Sequence, residues 1–460
     1  MNKTAKKMKV LEFIDTYYPT VDGAINAAKY YCSALSGVTE VKLAVPKAEK
    51  KSNYVDNESF EVIRCASTPA PEGYRLGFPD QDTKFIKKIK DEKFDIYHAH
   101  SPFALGRFAL KMAKKQGIPI VATLHTQYHQ DFERVVKNES LVDVMVGYIM
   151  KLYHNADSVW TVSDGACKIL RDYGYTGKIE VVRNGTHFKY PDNAEELVGR
   201  INQLHGLDGQ KNVFLFVGRM AWYKNLKIIL DALAKVKDKN DNFKMLFVGG
   251  GFDLESVKKY AKEIGVSSNC IFTGTVKDGE LLQGYYLRSD LFLFPSTFDT
   301  SSVVKVEAAA HKLAALLVKD SCASELVEDG VNGFLAEENA ESFAEKILSV
   351  MDRNDYLKQV GEEAGRTLYR SWEMVAEEVK EKYLKVIEEY KRNQELFERI
   401  FNYRVAKKKA RAKTSAKKPK KVKALTPAME KRQLAQLKKQ TQRVANQVKR
   451  KKKAEQKTNA

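Results

Sequence analysis

Apolar runs of three to six residues recur along this 460-residue chain, and each stops at small or polar residues. Val10-Leu11-Glu12-Phe13-Ile14, Val41-Lys42-Leu43-Ala44-Val45, Asp95-Ile96-Tyr97, Pro119 to Leu124, Ser158 to Val162 and Ile179 to Val182 read as strands. Helical periodicity fills the stretches between them, at 24–36, 82–92, 103–116 and 164–174. The pattern then restarts with Val213 to Val217, Lys244 to Val248, Cys270-Ile271-Phe272, Leu291 to Phe294 and Leu316-Leu317-Val318. Near-continuous apolar strands alternating with helices predict parallel, doubly wound sheets. Two α/β domains are expected, over 1–190 and 191–372, joined near 186–212. A long charged helix follows at 373–403 and a Lys/Arg-rich tail at 404–460.

Composition narrows the class. Hydrophobic residues make up 43% and aromatics 10%, enough to build cores and too much for a disordered chain or a small disulfide scaffold. The five cysteines are scattered without a C-x-x-C pair, which predicts a reducing, cytoplasmic setting and no structural zinc. No apolar run approaches the roughly 18 residues of a membrane span, and no signal peptide is read, so any membrane contact is expected to be peripheral.

The formal net charge is +19, and its location matters more than its size. Residues 404–460 hold 22 Lys and Arg against two acids, which leaves the first 403 residues at −1. The tail has few aromatics to stack on bases, so nucleic acid is the least favoured partner. A solvated extension and attachment to an anionic membrane surface are favoured equally over it. Leu434, Leu437, Val444 and Val448 have the spacing of a basic amphipathic helix. The segment Lys84-Phe85-Ile86-Lys87-Lys88-Ile89-Lys90 also suits a headgroup surface, or equally a solvated helix packed on the sheet.

The candidate chemistry lies at the carboxyl ends of strands, where open α/β sheets bind ligands. Arg219 and Lys224 follow the strand ending at Gly218, and two fixed cations there suit a diphosphate. The bland alternative is an exposed Arg and a solvated Lys. Gly249-Gly250-Gly251 closes the next strand and permits close approach, or is a plain turn. Phe294 to Ala310 reads as strand, loop and helix, with backbone N–H groups at Ser301, Ser302, Val303 and Val304 able to hold a phosphate. Asp299 and Glu307 lie eight positions apart across that helix start. A capping acid and a surface glutamate are equally consistent with them. In the first half, Gly23 follows the first strand, and His125 ends another. His98 and His100 read as loop structure. His98-x-His100 and His125-x-x-x-His129, with Asp131 and Glu133, look like hydrolase ligands, but the second motif lacks the glutamate of H-E-x-x-H and follows a strand, so no metal site is expected.

Taken in order, these residues resemble family 4 glycosyltransferases of GT-B architecture. The resemblance runs from about Lys9 to Lys391. It rests on Tyr-Pro…Asp-Gly23, His98-Ala-His-Ser-Pro, Leu-His125-Thr, Val-Ser-Asp164, Asn184-Gly185, Gly-Arg219…Lys224-Asn, Val-Gly-Gly-Gly251, Phe-Pro-Ser296, Glu307-Ala-Ala-Ala and Glu325-Leu-Val…Gly330-Val-Asn-Gly-Phe-Leu335. It implies two Rossmann-like doubly wound domains facing a cleft, and a final helix that crosses back to the first. It implies retaining transfer of a hexose from a nucleotide-sugar donor, with UDP-glucose the family-level choice and no cofactor or metal. By the same resemblance, Arg219 and Lys224 hold the diphosphate, Asp299 and His125 contact the sugar, Glu307 the ribose, and Gly23 lies beside the diphosphate. Gly249, Gly250 and Ser301 to Val304 complete the substrate side.

The His-Ala-His-Ser-Pro-Phe-Ala-Leu-Gly stretch is similar to bacterial enzymes that glucosylate diacylglycerol. That implies a membrane lipid acceptor at the inner face of the cell membrane. A polysaccharide or teichoic-type acceptor and a non-catalytic nucleotide-sugar scaffold are the alternatives. Four departures stand out: Asp299 for the usual glutamate, Ser302 where glycine is common, Ser321-Cys322 at a Gly-Gly turn, and Lys312-Leu313-Ala314 for Gly-x-Pro.

Overall fold

The structure, a computed structural model, describes residues 7–20, 23–49, 54–70 and 74–414. The Lys/Arg-rich stretch from 415, with its Leu434 to Val448 spacing, lies outside the described residues.

The first sheet is built from β1 (Lys9–Phe13), β2 (Glu40–Pro46), β3 (Glu61–Cys65), β6 (Ile96–Ala99), β7 (Ile120–Leu124), β8 (Ser158–Thr161) and β9 (Glu180–Val181). A two-stranded antiparallel ribbon, β4 (Ser67–Pro69) with β5 (Arg75–Gly77), lies outside it. The second sheet holds β10 (Val213–Val217), β11 (Lys244–Val248), β12 (Cys270–Gly274), β13 (Leu291–Phe294), β14 (Ala315–Val318) and β15 (Phe334–Ala336). Strand orders are β3-β2-β1-β6-β7-β8-β9 and β12-β11-β10-β13-β14-β15. Every pairing within the two sheets is parallel, with Val10 opposite both Val41 and Ile96, and Phe214 opposite both Met245 and Leu291. The chain is thus two Rossmann-like domains of GT-B type. Each sheet reverses its winding once, between β1 and β6 and between β10 and β13, and a ligand crevice opens at such a switch point.

Helices cover both faces of each sheet, which is why the central strands are apolar throughout; Val213 to Val217 is buried at every position. The sequence did not mark β3 and β15, which pair on one side only and carry little or mixed apolar pattern. The helix Thr83–Asp91 is capped by Asp82, which accepts from Phe85 N at 3.1 Å. Phe85 and Ile89 pack into the first core, and Lys84, Lys87, Lys88 and Lys90 face solvent.

The chain crosses between the domains twice, at adjacent points. Thr186 bridges Ser371, with Thr186 N donating to Arg370 O at 2.8 Å and Trp372 N to Thr186 O at 3.1 Å. The helix Trp372–Thr414 starts there. Its Trp372, Val375, Val379, Tyr383 and Ile387 pack on one face of the first sheet, with Val10, Ile14, Val121 and Trp160. From Arg392 onward the chain is a unit of its own, with Leu396, Phe397 and Phe401 exposed. Among the described residues no helix is long and apolar enough to cross a membrane.

Lys312 occupies a left-handed conformation, φ 56°, against the backbone of Gly361. A side chain there costs about 1–2 kcal/mol, offset in glycine by its greater loss of chain entropy. The pair with Glu362 at 3.0 Å is exposed and contributes little. Lys312→Gly is therefore expected to raise stability by about 0.5–1 kcal/mol in chemical denaturation, and a loss of stability would refute that reading.

Candidate active site

On the second domain, β10 ends at Val217, and Gly218 and Arg219 follow, both partly buried. A 3-10 turn, Trp222–Lys224, then brings Lys224 over the crevice. Its ammonium pairs with Asp299 Oδ1, and the two side chains are 13% and 22% exposed. The other carboxylate oxygen of Asp299, Oδ2, is buried and has no hydrogen-bond partner. A buried carboxylate oxygen without a donor is costly, so it marks a place where a donor group belongs. Asp299 is therefore not a plain capping acid: Ser302 caps the helix Val303–Ala310, its Oγ accepting from Lys305 N at 3.2 Å.

That helix presents its first-turn N–H groups, which no helix satisfies internally, at Val303 and Val304. Ser301 Oγ accepts from Asn184 Nδ2 at 3.2 Å. Glu307, on the same helix, accepts from Tyr286 OH at 2.7 Å and lies partly buried rather than on the surface. Burial pushes its carboxyl up to about 7, although the tyrosine hydrogen bond opposes that. Tyr286 is fully buried and stacks on His311, with centroids 5.1 Å apart. The glycines after β11 serve close packing of loops. A Cβ on Gly249 would fall 1.9 Å from Gly218 O, and one on Gly250 2.5 Å from Thr275 Oγ1.

The first domain meets this loop directly. Thr300 Oγ1 donates to His125 O. Gln127 Nε2 donates to Thr297 O at 3.1 Å and to Phe298 O at 2.8 Å. Arg134 lies 4.2 Å over the Tyr223 ring. Glu325 reaches the other way: its carboxylate accepts from Asp164 N at 3.0 Å and Gly165 N at 2.5 Å, the start of helix Asp164–Asp172. Cys322, one of the departures, fills the space left by Gly165, whose Cβ would sit 2.4 Å from its Sγ. Gly23 opens the helix Gly23–Val38.

His125 directly follows β7 and is partly buried. Burial holds its imidazole well below the ordinary value, and the neighbouring His100 and His98 add to that. Its Nε2 lies 2.8 Å from His100 Nδ1, and His100 Nε2 lies 2.8 Å from Glu12 Oε2. Glu12, in the middle of β1, has no exposed surface. Its other oxygen accepts from Tyr383 OH at 2.8 Å. Burial favours the neutral acid, but His98 and His100 outweigh it and hold Glu12 ionised. His98 Nδ1 meets Tyr383 OH at 2.5 Å and its Nε2 meets Thr123 Oγ1 at 2.6 Å. His98 and His100 are thus buried network residues at the end of β6, which corrects their reading as loop structure. Glu12, His98 and His100 are the one grouping of metal-type ligands among the described residues, their atoms within 4.8 Å; hydrogen bonds already engage these atoms.

The structure brings Lys224, Asp299, Ser301 and His125 to one junction, with Glu307 on the helix behind. Sequence reading missed Glu12, Tyr383, Gln127 and the reach of Glu325. The one usable signal was an acid inside an otherwise apolar strand.

The site thus lies between the switch points of two Rossmann-like domains. Residues 201–367 match the family described as glycosyl transferases group 1, and residues 23–189 match Glycosyltransferase Family 4. The chain belongs to the family 4 glycosyltransferases of GT-B fold and is a hexosyltransferase. It is 25% identical to the alpha-monoglucosyldiacylglycerol synthase of Streptococcus pneumoniae, over 76% of this chain and 80% of that one. It is also 25% identical to the enzyme of the same name from Acholeplasma laidlawii, over 79% and 96%. In fold it resembles Anabaena HepE in complex with UDP-glucose, with TM-score 0.66, 17% identity and coverage of 82% and 100%.

Proposed function

We propose that this chain moves glucose from UDP-glucose, with retention at the anomeric carbon, to a membrane lipid such as diacylglycerol. The observation that carries the proposal is the unpartnered Asp299 Oδ2, buried beside the Lys224 ammonium. A sugar hydroxyl supplies the missing donor while the adjacent cation meets the diphosphate. In this reading Arg219, Lys224 and the N–H groups of Ser301 to Val304 hold the diphosphate and take up the charge that grows as the sugar C–O bond breaks. The acceptor oxygen bonds the same face, and its proton leaves with the diphosphate. Gly23, Gly249 and Gly250 let the phosphates approach the backbone, Glu307 takes the ribose hydroxyls, and His125 meets the sugar. The two cations supply the charge, so the proposal needs no metal. The lipid acceptor is supported by the names of the two synthases to which the chain is similar.

The test is transfer from a panel of nucleotide sugars, with and without anionic vesicles containing diacylglycerol. The expected result is UDP release that depends on vesicles, with the sugar recovered in the lipid phase. Release without vesicles, or product in the aqueous phase, would overturn the lipid acceptor. Deleting 404–460 is expected to weaken vesicle binding; unchanged binding would show that the tail is not the anchor.

A further inference from the structure

We propose that Glu12 and His100 are positioning residues that hold His125 as its Nε2–H tautomer, so that its Nδ1 is kept as a hydrogen-bond acceptor. The inference deepens the transfer reading in its kinetic arm and stands on geometry in its structural arm.

The bond directions follow from chemistry. Glu12 is ionised, and a carboxylate only accepts. The proton in the 2.8 Å contact between His100 and Glu12 Oε2 therefore sits on His100 Nε2. With that one ring proton, His100 has a bare Nδ1, and the 2.8 Å contact to His125 takes its donor from His125 Nε2. His125, held neutral by burial, is left with Nδ1 as its lone-pair atom. Tyr383 fixes the far end, donating to Glu12 Oε1 at 2.8 Å while Tyr31 OH approaches it at 2.9 Å. Both carboxylate oxygens are engaged, so Glu12 cannot rotate away. The Tyr383 ring is itself clamped against Trp160, with centroids 5.3 Å apart.

Packing alone does not call for this arrangement. A valine or leucine would fill the middle of a parallel strand without the several kcal/mol that burying an ion costs. The chain of bonds also has a direction. It begins at a residue with no exposure and ends at the partly buried His125, whose backbone holds the Thr300 loop.

The parent protein carries its own test. Full-length protein with 15N-labelled histidine is expected to show His125 protonated at Nε2, with a scalar coupling across the hydrogen bond to His100 Nδ1. A proton on His125 Nδ1, as an imidazolium at His100 would produce, overturns the proposal. In Glu12→Gln the amide N–H₂ faces His100 Nε2 and reverses the chain, so His125 is expected to become the Nδ1–H form. Its kcat should fall about 10²- to 10⁴-fold, the range for lost acid–base or acceptor geometry and for an inverted tautomer. The KM for the nucleotide sugar should stay within about threefold, since the groups assigned to the diphosphate and ribose are untouched. A folded Glu12→Gln protein that keeps Nε2–H, or loses kcat without the tautomer change, overturns the proposal. If Glu12→Gln does not fold, the coupling in the parent decides. A parent that turns over no nucleotide sugar sinks the transfer reading, while the tautomer measurement still decides this one.

Discussion

Lys224→Ala is expected to lower kcat/KM for sugar transfer by about 10²- to 10³-fold, the scale seen when one preorganised stabiliser of developing charge is removed. The argument rests on where the ammonium sits. It lies on the turn that follows β10, only 13% exposed, so water screens it poorly. It also neutralises Asp299, whose second oxygen already lacks a partner. Removing Lys224 leaves both oxygens of that carboxylate without donors, and stability should fall by about 1–3 kcal/mol. The two effects separate in the double variant Lys224→Ala/Asp299→Asn. The thermal midpoint should recover, because the orphaned charge is gone, and the rate should not. Initial-rate kinetics beside thermal melts make the comparison. An unchanged kcat/KM in the single variant would take Lys224 out of leaving-group stabilisation.

Glu307→Gln is expected to flatten two pH dependences that run in opposite directions. Burial raises the folded carboxyl from its ordinary 4.5 to about 7. Between those values the folded protein keeps a proton that the unfolded chain has released. Stability from this group is therefore full below about 4.5 and is lost as pH rises to about 7. The loss is on the order of 3 kcal/mol by the free energy of a pKa shift. Glutamine carries no such proton, so the variant should gain stability over the parent above neutral pH and match it in acid. Donor affinity should move the other way. Ribose hydroxyls donate best to the ionised carboxylate, so binding of a UDP-sugar to the parent strengthens as pH rises towards 7 and releases a proton. Calorimetry in buffers of different ionisation enthalpy reads that proton directly. A proton count that is the same for Glu307→Gln would place the ribose elsewhere.

The central strands were legible in the sequence because parallel strands are buried on both faces and cannot hide their apolar runs. β3 was not, since Glu61-Val-Ile-Arg-Cys pairs only with β2 and keeps its polar positions. Lys224, Asp299, Ser301 and His125 could be picked out because residues at strand ends of this fold meet in space without further knowledge. Their partners could not. The bond between Glu12 and Tyr383 joins positions 371 apart, and nothing local announces it. His98 and His100 looked like loop residues for the same reason: His98 depends on Tyr383 and Thr123 and His100 on Glu12 and His125, all brought by other elements. Glycines after β11 also carry a packing requirement, set by Gly218 O and Thr275, that nothing local in the sequence announces.

The return of the last helix sets an order on synthesis. β1 to β9 leave the ribosome first, yet one face of their sheet, with Val10, Ile14 and Trp160, is covered only when Trp372 to Ile387 follow. At roughly 5–20 residues per second the intervening stretch takes about 10–40 s to translate. During that interval the nascent first domain exposes an apolar face, and Glu12 waits without Tyr383. The second domain meanwhile can close on its own core, since it is synthesised as one uninterrupted stretch between the crossings at Thr186 and Ser371. The last half to be finished is thus the one that began first, and His125 acquires its hydrogen-bonded chain only when the C-terminal helix docks. Shielding by a chaperone would matter most for nascent chains longer than the first domain and shorter than that helix.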